Sequence, residues 1–320
     1  MMTSRWVTCA LALTRDGAEV VGADITGRAY RWDRVEGTAP APLFSAHART
    51  VWSLLLTPDE SEIITAGSDG TVRRWRRVGG GQAAEPFTAH ADWIRALALT
   101  SDGSELVTAA EDGTVRRWNL PDGSPRGAAL AAHDGPVRAL ALTGDDDELV
   151  TAGGDGTVRR WSRESGAPIG EPLLGHAGAV LTVAVTPDGT EIVTGGRDGT
   201  VRRWDRHGGR PLLEPLRAGS GVAALVLTGD GEIIAGSYDG VLRRWDRSTG
   251  QSLGETPTPH AAVWVCALTP DERELLTAGP GAPVVRRWTR GGQGVGLVPV
   301  RSATWIDTAP RLEIHGPTPF

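Results

Sequence analysis

The chain of 320 residues contains no lysine; all 33 basic residues are arginine, and Asn119 is the only asparagine. Without lysine there is no P-loop lysine to cradle phosphates, no Schiff-base lysine and no lysine general base. Cysteine is nearly as scarce, with Cys9 and Cys266 alone. Two thiols build neither a disulfide framework nor a zinc site with closely spaced ligands, and they fit a reducing, cytoplasmic compartment. No run of 18 apolar residues occurs, so no membrane-spanning helix is expected. The N-terminal apolar run of MMTSRWVTCALALTRDG alternates like a strand and recurs as RALALT at 95–100 and 138–143. It therefore reads as part of a repeat and not as a signal peptide. A net charge of −6 argues against general binding to nucleic acid or to an anionic membrane.

What the chain has in abundance is repetition. DGTVRRW occurs at Asp69–Trp75, Asp112–Trp118, Asp155–Trp161 and Asp198–Trp204, and DGVLRRW follows at Asp239–Trp245. Seven tryptophans mark the register: Trp32, Trp75, Trp118, Trp161, Trp204, Trp245 and Trp288, with 43 residues between neighbours except for one gap of 41. Fifteen residues after a marker comes His47, His90, His133, His176 or His260, and Gly219 takes that place after Trp204. Within one unit, TVWSLLLT (50–57), EIITAG (62–67), TVRRW (71–75) and AAEPFT (83–88) read as four short strands separated by PDES, SDG and a glycine-rich loop. Four strands in a period of 40–45 residues is the pattern of a propeller blade.

The histidine after a small residue, the TPDG-type turn, the threonine four residues before Asp-Gly and the closing tryptophan resemble the WD40 repeat family. The likeness covers about 5–302. The Trp-Asp pair itself stands only at Trp32–Asp33, Trp204–Asp205 and Trp245–Asp246. The resemblance implies an all-β fold, a seven-bladed β-propeller of four-stranded antiparallel blades over 1–302, with 303–320 as a tail or a degenerate repeat. The first unit starts at an innermost strand, so the last blade must take its outer strand from VGLVPV (295–300), with no N-terminal strand to clasp the ring.

The resemblance also implies a hydrogen-bond chain inside each blade. By position the complete sets are His47, Thr65, Asp69 and Trp75; His90, Thr108, Asp112 and Trp118; His133, Thr151, Asp155 and Trp161; and His176, Thr194, Asp198 and Trp204. Indole only donates, threonine does both, and imidazole bridges to a carboxylate. Gly219 and Ala235 replace two links together in the sixth unit. The last unit keeps His260, Thr277 and Trp288 but has GPGAP where the aspartate belongs, and the first keeps only Trp32. A set that recurs four times serves what every blade shares, so it is structural and not a catalytic triad. The paired arginines, Arg73 and Arg74 with their copies, are expected to meet the glutamates that open strand two, among them Glu62, Glu105, Glu148 and Glu191.

Function belongs where equivalent exposed positions differ. Five residues before the threonine that ends strand one stand Cys9, Trp52, Arg95, Arg138, Leu181, Ala223 and Trp264. In the resembled fold this position rims the mouth of the central channel. Trp93 comes two residues before its unit's copy of that position, and Glu111, Arg197 and Tyr238 each precede a turn aspartate. Trp52, Trp93, Arg95, Arg138, Trp264, Tyr238, Glu111 and Arg197 make the candidate partner-binding patch, set against the alternative that its indoles merely pack between blades. Its arginines would suit an acidic or phosphorylated segment, and its indoles an arginine or a methylated amine. The turns between strands one and two hold eighteen of the 39 acids, read as a solvated acidic rim.

Three functions compete. The first is a non-catalytic scaffold, a monomeric propeller that binds a protein or peptide and needs no cofactor or metal. The second is a sensor or regulatory subunit acting in trans on a signalling kinase or NTPase. The third is an enzyme, for which only His207 and His315 lie outside the repeat slots, neither beside a serine or cysteine nucleophile.

Overall fold

The computed structural model describes residues 7–34, 40–280 and 285–290, and the backbone of 297–299. These residues form seven antiparallel sheets and no helix. Each sheet is one blade. The innermost strands, in blade order, are Thr8–Leu13, Val51–Leu56, Ile94–Leu99, Val137–Leu142, Val180–Val185, Val222–Leu227 and Val265–Leu268. Each lies against the innermost strand of the next blade, and the seventh lies against the first, which closes the ring.

Position in the blade explains the composition of each strand. The second strand (Glu62–Gly67 in blade 2) has neighbouring blades over both faces and is buried along nearly its whole length. It is accordingly an almost unbroken apolar run. The third strand (Thr71–Arg76) alternates between buried and half-buried, and the outer strand (Gln82–Thr88) is largely exposed. The core is split into seven clusters, one per interface. A typical cluster takes Ile64, Ala66 and Val72 from blade 2 and Ile94, Leu106 and Trp118 from blade 3. The marker tryptophan always packs toward the preceding blade. Trp32 does so across the seam, joining Val20 and Tyr30 to Leu276, Ala278 and Val285.

Outer strands vary more than the sequence implied. In blade 3 the outer strand is split into Ser124–Pro125 and Leu130–Ala131. Blade 4 has only the bridges Val158–Leu173 and Trp161–Pro168. Proline and glycine in PDGSPRGAA and SGAPIGEP deny those segments a continuous ladder. Blade 7 is completed by Leu297–Pro299, paired with Arg286–Arg290, so among the described residues no strand is exchanged between the first and last blades. The rest of the expected outer strand at 295–300, and the tail at 303–320, lie outside the described residues.

Candidate functional site at the channel mouth

The Trp–Thr–His–Asp sets come first because they fix the turns that frame the site. In blades 2 to 5 the imidazole Nδ1 lies 3.0 Å from its turn aspartate. The Nε2 lies 2.7–2.9 Å from the threonine Oγ1, and the indole N–H donates to that same oxygen at 3.0–3.1 Å. The aspartate in turn accepts from the backbone N–H two residues on, as at Thr71 and Thr114. Burial opposes ionisation of Asp112, Asp155 and Asp198, yet hydrogen bonds from backbone N–H groups and threonine hydroxyls, together with the facing histidine, hold all three carboxyls below the ordinary range. In blade 6, where Gly219 replaces the histidine, the turn aspartate keeps its arginine contact, Arg243 meeting Asp239 at 2.9 Å. In blade 1, Asp24 caps the turn, accepting from Thr26 N at 2.8 Å and Arg28 N at 3.0 Å. Sequence spacing missed the Asp24 cap, because Asp24 does not occupy the slot of the residue it replaces.

The arginine pairs are sorted differently from expectation. In most blades the second of the pair meets the strand-two glutamate of its own blade, as Arg74 meets Glu62 at 2.7 Å, Arg203 meets Glu191 at 2.9 Å and Arg287 meets Glu274 at 2.9 Å; in blade 4 Glu148 instead meets Arg206 of the next blade at 3.3 Å, and Arg160 donates to the Arg206 carbonyl. The first turns to the loop instead: Arg73 meets Asp69 at 3.3 Å, and Arg116 donates to the Ala89 carbonyl at 3.0 Å. It stands on the opposite side of the pleat, so it cannot reach the glutamate. A third arginine, two residues after the marker tryptophan, reaches back to the glutamate of the preceding blade. Arg77 meets Glu19, Arg163 meets Glu105, Arg290 meets Glu232 and Arg34 meets Glu274, at 2.7–3.1 Å. The lower rim is therefore ion-paired between blades, not a bare solvated array of acids. Its signal was in the sequence, since that position is arginine in six of seven units.

At the opposite, upper face the innermost strands carry a shared irregularity. The register with strand two slips between Thr8 and Ala10, Val51 and Ser53, Val137 and Ala139, Val180 and Thr182, and Val222 and Ala224. In blade 3 it slips between Ala96 and Ile94. The skipped residues are Cys9, Trp52, Arg138, Leu181, Ala223 and Arg95. Each is a β-bulge, which frees a residue from the ladder and re-aims its side chain. Trp264, the seventh member, immediately precedes its strand.

Of the candidate residues, five form one cluster. Trp52 and Trp93 lie with ring centroids 6.2 Å apart and planes 24° from parallel. The Arg95 guanidinium lies 4.2 Å from the Trp52 ring centroid and 5.0 Å from that of Trp93. Arg95 also pairs with Glu111, and Arg138 reaches the same Glu111 oxygen at 2.8 Å. Trp52 is fixed by an indole N–H bond to Ser68 Oγ at 3.0 Å. Trp93 is 39 % exposed. Burial lowers the Arg95 pKa, against the pull of Glu111, and Tyr238 and Arg138 both act on the same guanidinium. Tyr238, 42 % exposed, lies over Gly221 beside Arg197, where a side chain on residue 221 would strike its ring. Arg197 is exposed and Trp264 half-buried. So an arginine of the chain itself already lies against both indoles, and two of the three arginines share one carboxylate.

Among the described residues, no three His, Cys, Asp or Glu side chains are grouped to hold a metal ion. Burial pushes both thiols, Cys9 and Cys266, up to about 12, so neither is a thiolate at neutral pH. His207 is exposed, and its backbone N–H bonds Asp205 at 3.2 Å; His315 lies outside the described residues.

The family model for the WD domain, G-beta repeat, matches residues 40–76, 81–119, 125–162 and 166–205. Each match begins in the outer-strand segment of one blade and ends at the third strand of the next, so a repeat straddles two blades. The chain belongs to the WD40 repeat family. The four matched repeats are the four with a complete Trp–Thr–His–Asp set. A comparison with curated proteins finds no match. WD40 propellers are generally non-catalytic scaffolds that bind proteins or peptides.

Proposed function

We propose that this WD40 propeller is an interaction scaffold that binds a peptide or protein partner across the mouth of its upper face. One observation carries the reading. A bulge frees the side chain at the same point in six blades, and the residues freed there differ from blade to blade while the frame beneath repeats. Trp, Tyr and Arg dominate the patch, as they do in the energetic centres of interfaces. The fold alone does not establish the role; the reading rests on these side chains. Non-catalytic action is supported by the raised thiol pKa values and by the structural use of the repeated histidines. A cytoplasmic setting is proposed on the two free cysteines.

The test is affinity capture from native lysate with the wild-type chain, with Trp93→Ala plus Tyr238→Ala, and with a lower-face control, Arg15→Ala plus Arg273→Ala. Trp93 and Tyr238 are exposed, so the fold should survive, and a thermal melt checks this. Proteins lost on the upper-face variant and kept on the control support the reading. A captured set unchanged by the upper-face variant overturns it.

A further inference from the structure

We infer that the partner lying on the upper face is an acidic peptide segment, with its carboxylates received by Arg138 and Arg197 and its chain laid against the exposed indole of Trp93. This rests on the upper-face reading and adds the chemistry of the occupant.

The mouth is short of acceptors. A single Glu111 oxygen takes both Arg95 and Arg138, although each guanidinium offers five donors. Arg138 Nε is buried with no partner among the described residues, while the side chain as a whole remains 31 % exposed. One blade further round, Arg197 is exposed, with its backbone close to Gly221, over which the Tyr238 ring lies. Among the positions that differ between blades, the site thus sets Arg95, Arg138 and Arg197 against Glu111 alone, a local excess of positive charge, while the turn aspartates Asp112, Asp155 and Asp198 are already held by histidine and backbone donors.

The neighbouring charges place this excess at the centre. On the loops outside the mouth the exposed Arg49 is outnumbered by Asp92 and Asp134. An acidic segment is therefore favoured over the channel and disfavoured on its border, and such complementarity fixes register as well as rate of encounter. A basic segment meets the reverse. It would face three arginines, and Arg95 already lies against both indoles, so a second cation would have only the exposed part of Trp93, beside that like charge. A nucleic acid is also a poor fit, because a few cations on an acidic chain do not offset a run of phosphates. Carboxylates on a flexible chain match two guanidiniums on adjacent blades, the exposed Arg197 able to bind in bidentate fashion and Arg138 through the donors that Glu111 leaves.

The experiment is fluorescence anisotropy with a labelled heptapeptide of glutamates around a central phenylalanine, run beside its lysine counterpart and a single-stranded oligonucleotide of similar charge. The glutamate peptide is expected to bind, to weaken as salt is raised, and to lose about tenfold or more in affinity on Arg138→Gln combined with Arg197→Glu. The Arg197→Glu change alone, at an exposed side chain, serves where the double variant melts early. Equal binding of the lysine peptide or the oligonucleotide overturns the inference. So does binding of neither peptide up to millimolar concentration, or a glutamate preference that survives the charge changes. If capture from lysate still depends on Trp93 and Tyr238 while the acidic peptide fails, the upper face remains the binding surface and only the acidic class falls.

Discussion

The recurring histidine shows how one residue type is held in one protonation state. The indole donates to threonine, the threonine hydroxyl donates to Nε2, and Nδ1–H donates to aspartate; only neutral imidazole fits this polarity. Burial lowers the pKa of His90, His133 and His176 below 6.5, and the pull of the turn aspartates does not fully offset it. His260 has no carboxylate partner among the described residues. Burial and then Arg286 push it down to about 4. A folded pKa below the unfolded value means that the unfolded chain takes up protons first as the pH falls. Stability from these histidines is therefore complete above about 6.5 and declines below it. For His260, loss between the unfolded 6.5 and about 4 amounts to roughly 3 kcal/mol. The lowered aspartates add a further loss below the ordinary carboxyl value of 3.8. Urea midpoints measured from pH 8 to pH 4 should be level at first and then fall, and His260→Gln should fall less steeply. A midpoint that stays level down to pH 5 would contradict this account.

At the scale of strands and turns, legibility followed repetition. DGTVRRW marked the third strand and its turn in every unit that carries it, and the apolar run before it marked the second. The bulge left no such mark. TVWSLLL reads as an ordinary alternating strand, and the extra residue at Trp52 appears only against its partner, where Val51 pairs with Gly67 and Ser53 with Ala66. The contact of Arg95 with both indoles was hidden for a similar reason, since Trp52 and Trp93 stand 41 residues apart on different blades. The turns between strands one and two hold a second device that the residue types alone did not disclose. Gly17, Gly103, Gly189 and Gly231 have positive φ there, and Glu60, Asp146 and Glu272 adopt the same left-handed conformation at φ 54–59°. Each of these carboxylates accepts a backbone N–H from the preceding blade, at Arg15, Ser101 or Gly229. The bond offsets a conformational cost of about 1–2 kcal/mol. Glu60→Ala keeps the strain and loses the bond, and should lower stability by about 1 kcal/mol. Glu60→Gly loses both and should stay within about 0.5 kcal/mol of wild type. Denaturation that ranks the glycine variant below the alanine variant would refute the latch.

For the molecule as a whole the question is what holds the first and last blades together. Six interfaces join blades that are also linked by the chain, so a broken contact there re-forms between tethered neighbours. Only the seam between blades 7 and 1 lacks that link, and the described residues show no strand crossing it. Closure there rests on the apolar cluster around Trp32 and Leu276 and on Glu274. Glu274 meets Arg287 of its own blade and Arg34 of the first, both at 2.9 Å, while Arg287 donates to the Arg34 carbonyl at 3.0 Å. All three side chains are less than one fifth exposed. Glu274→Gln removes the carboxylate that two guanidiniums share, leaving each with a backbone carbonyl, and should cost about 2 kcal/mol. Glu191→Gln is the matched change, because Glu191 likewise meets Arg203 at 2.9 Å and Arg247 of the next blade at 3.9 Å. The two variants should differ in where they open. Each blade contacts only its neighbours, so Glu274→Gln should raise amide hydrogen exchange across the second and third strands of blades 1 and 7, well ahead of blades 3 to 5. Glu191→Gln should lower global stability without that local opening, since blades 5 and 6 remain joined by the chain. Equal exchange patterns in the two variants would mean that the seam is no weaker than any other interface.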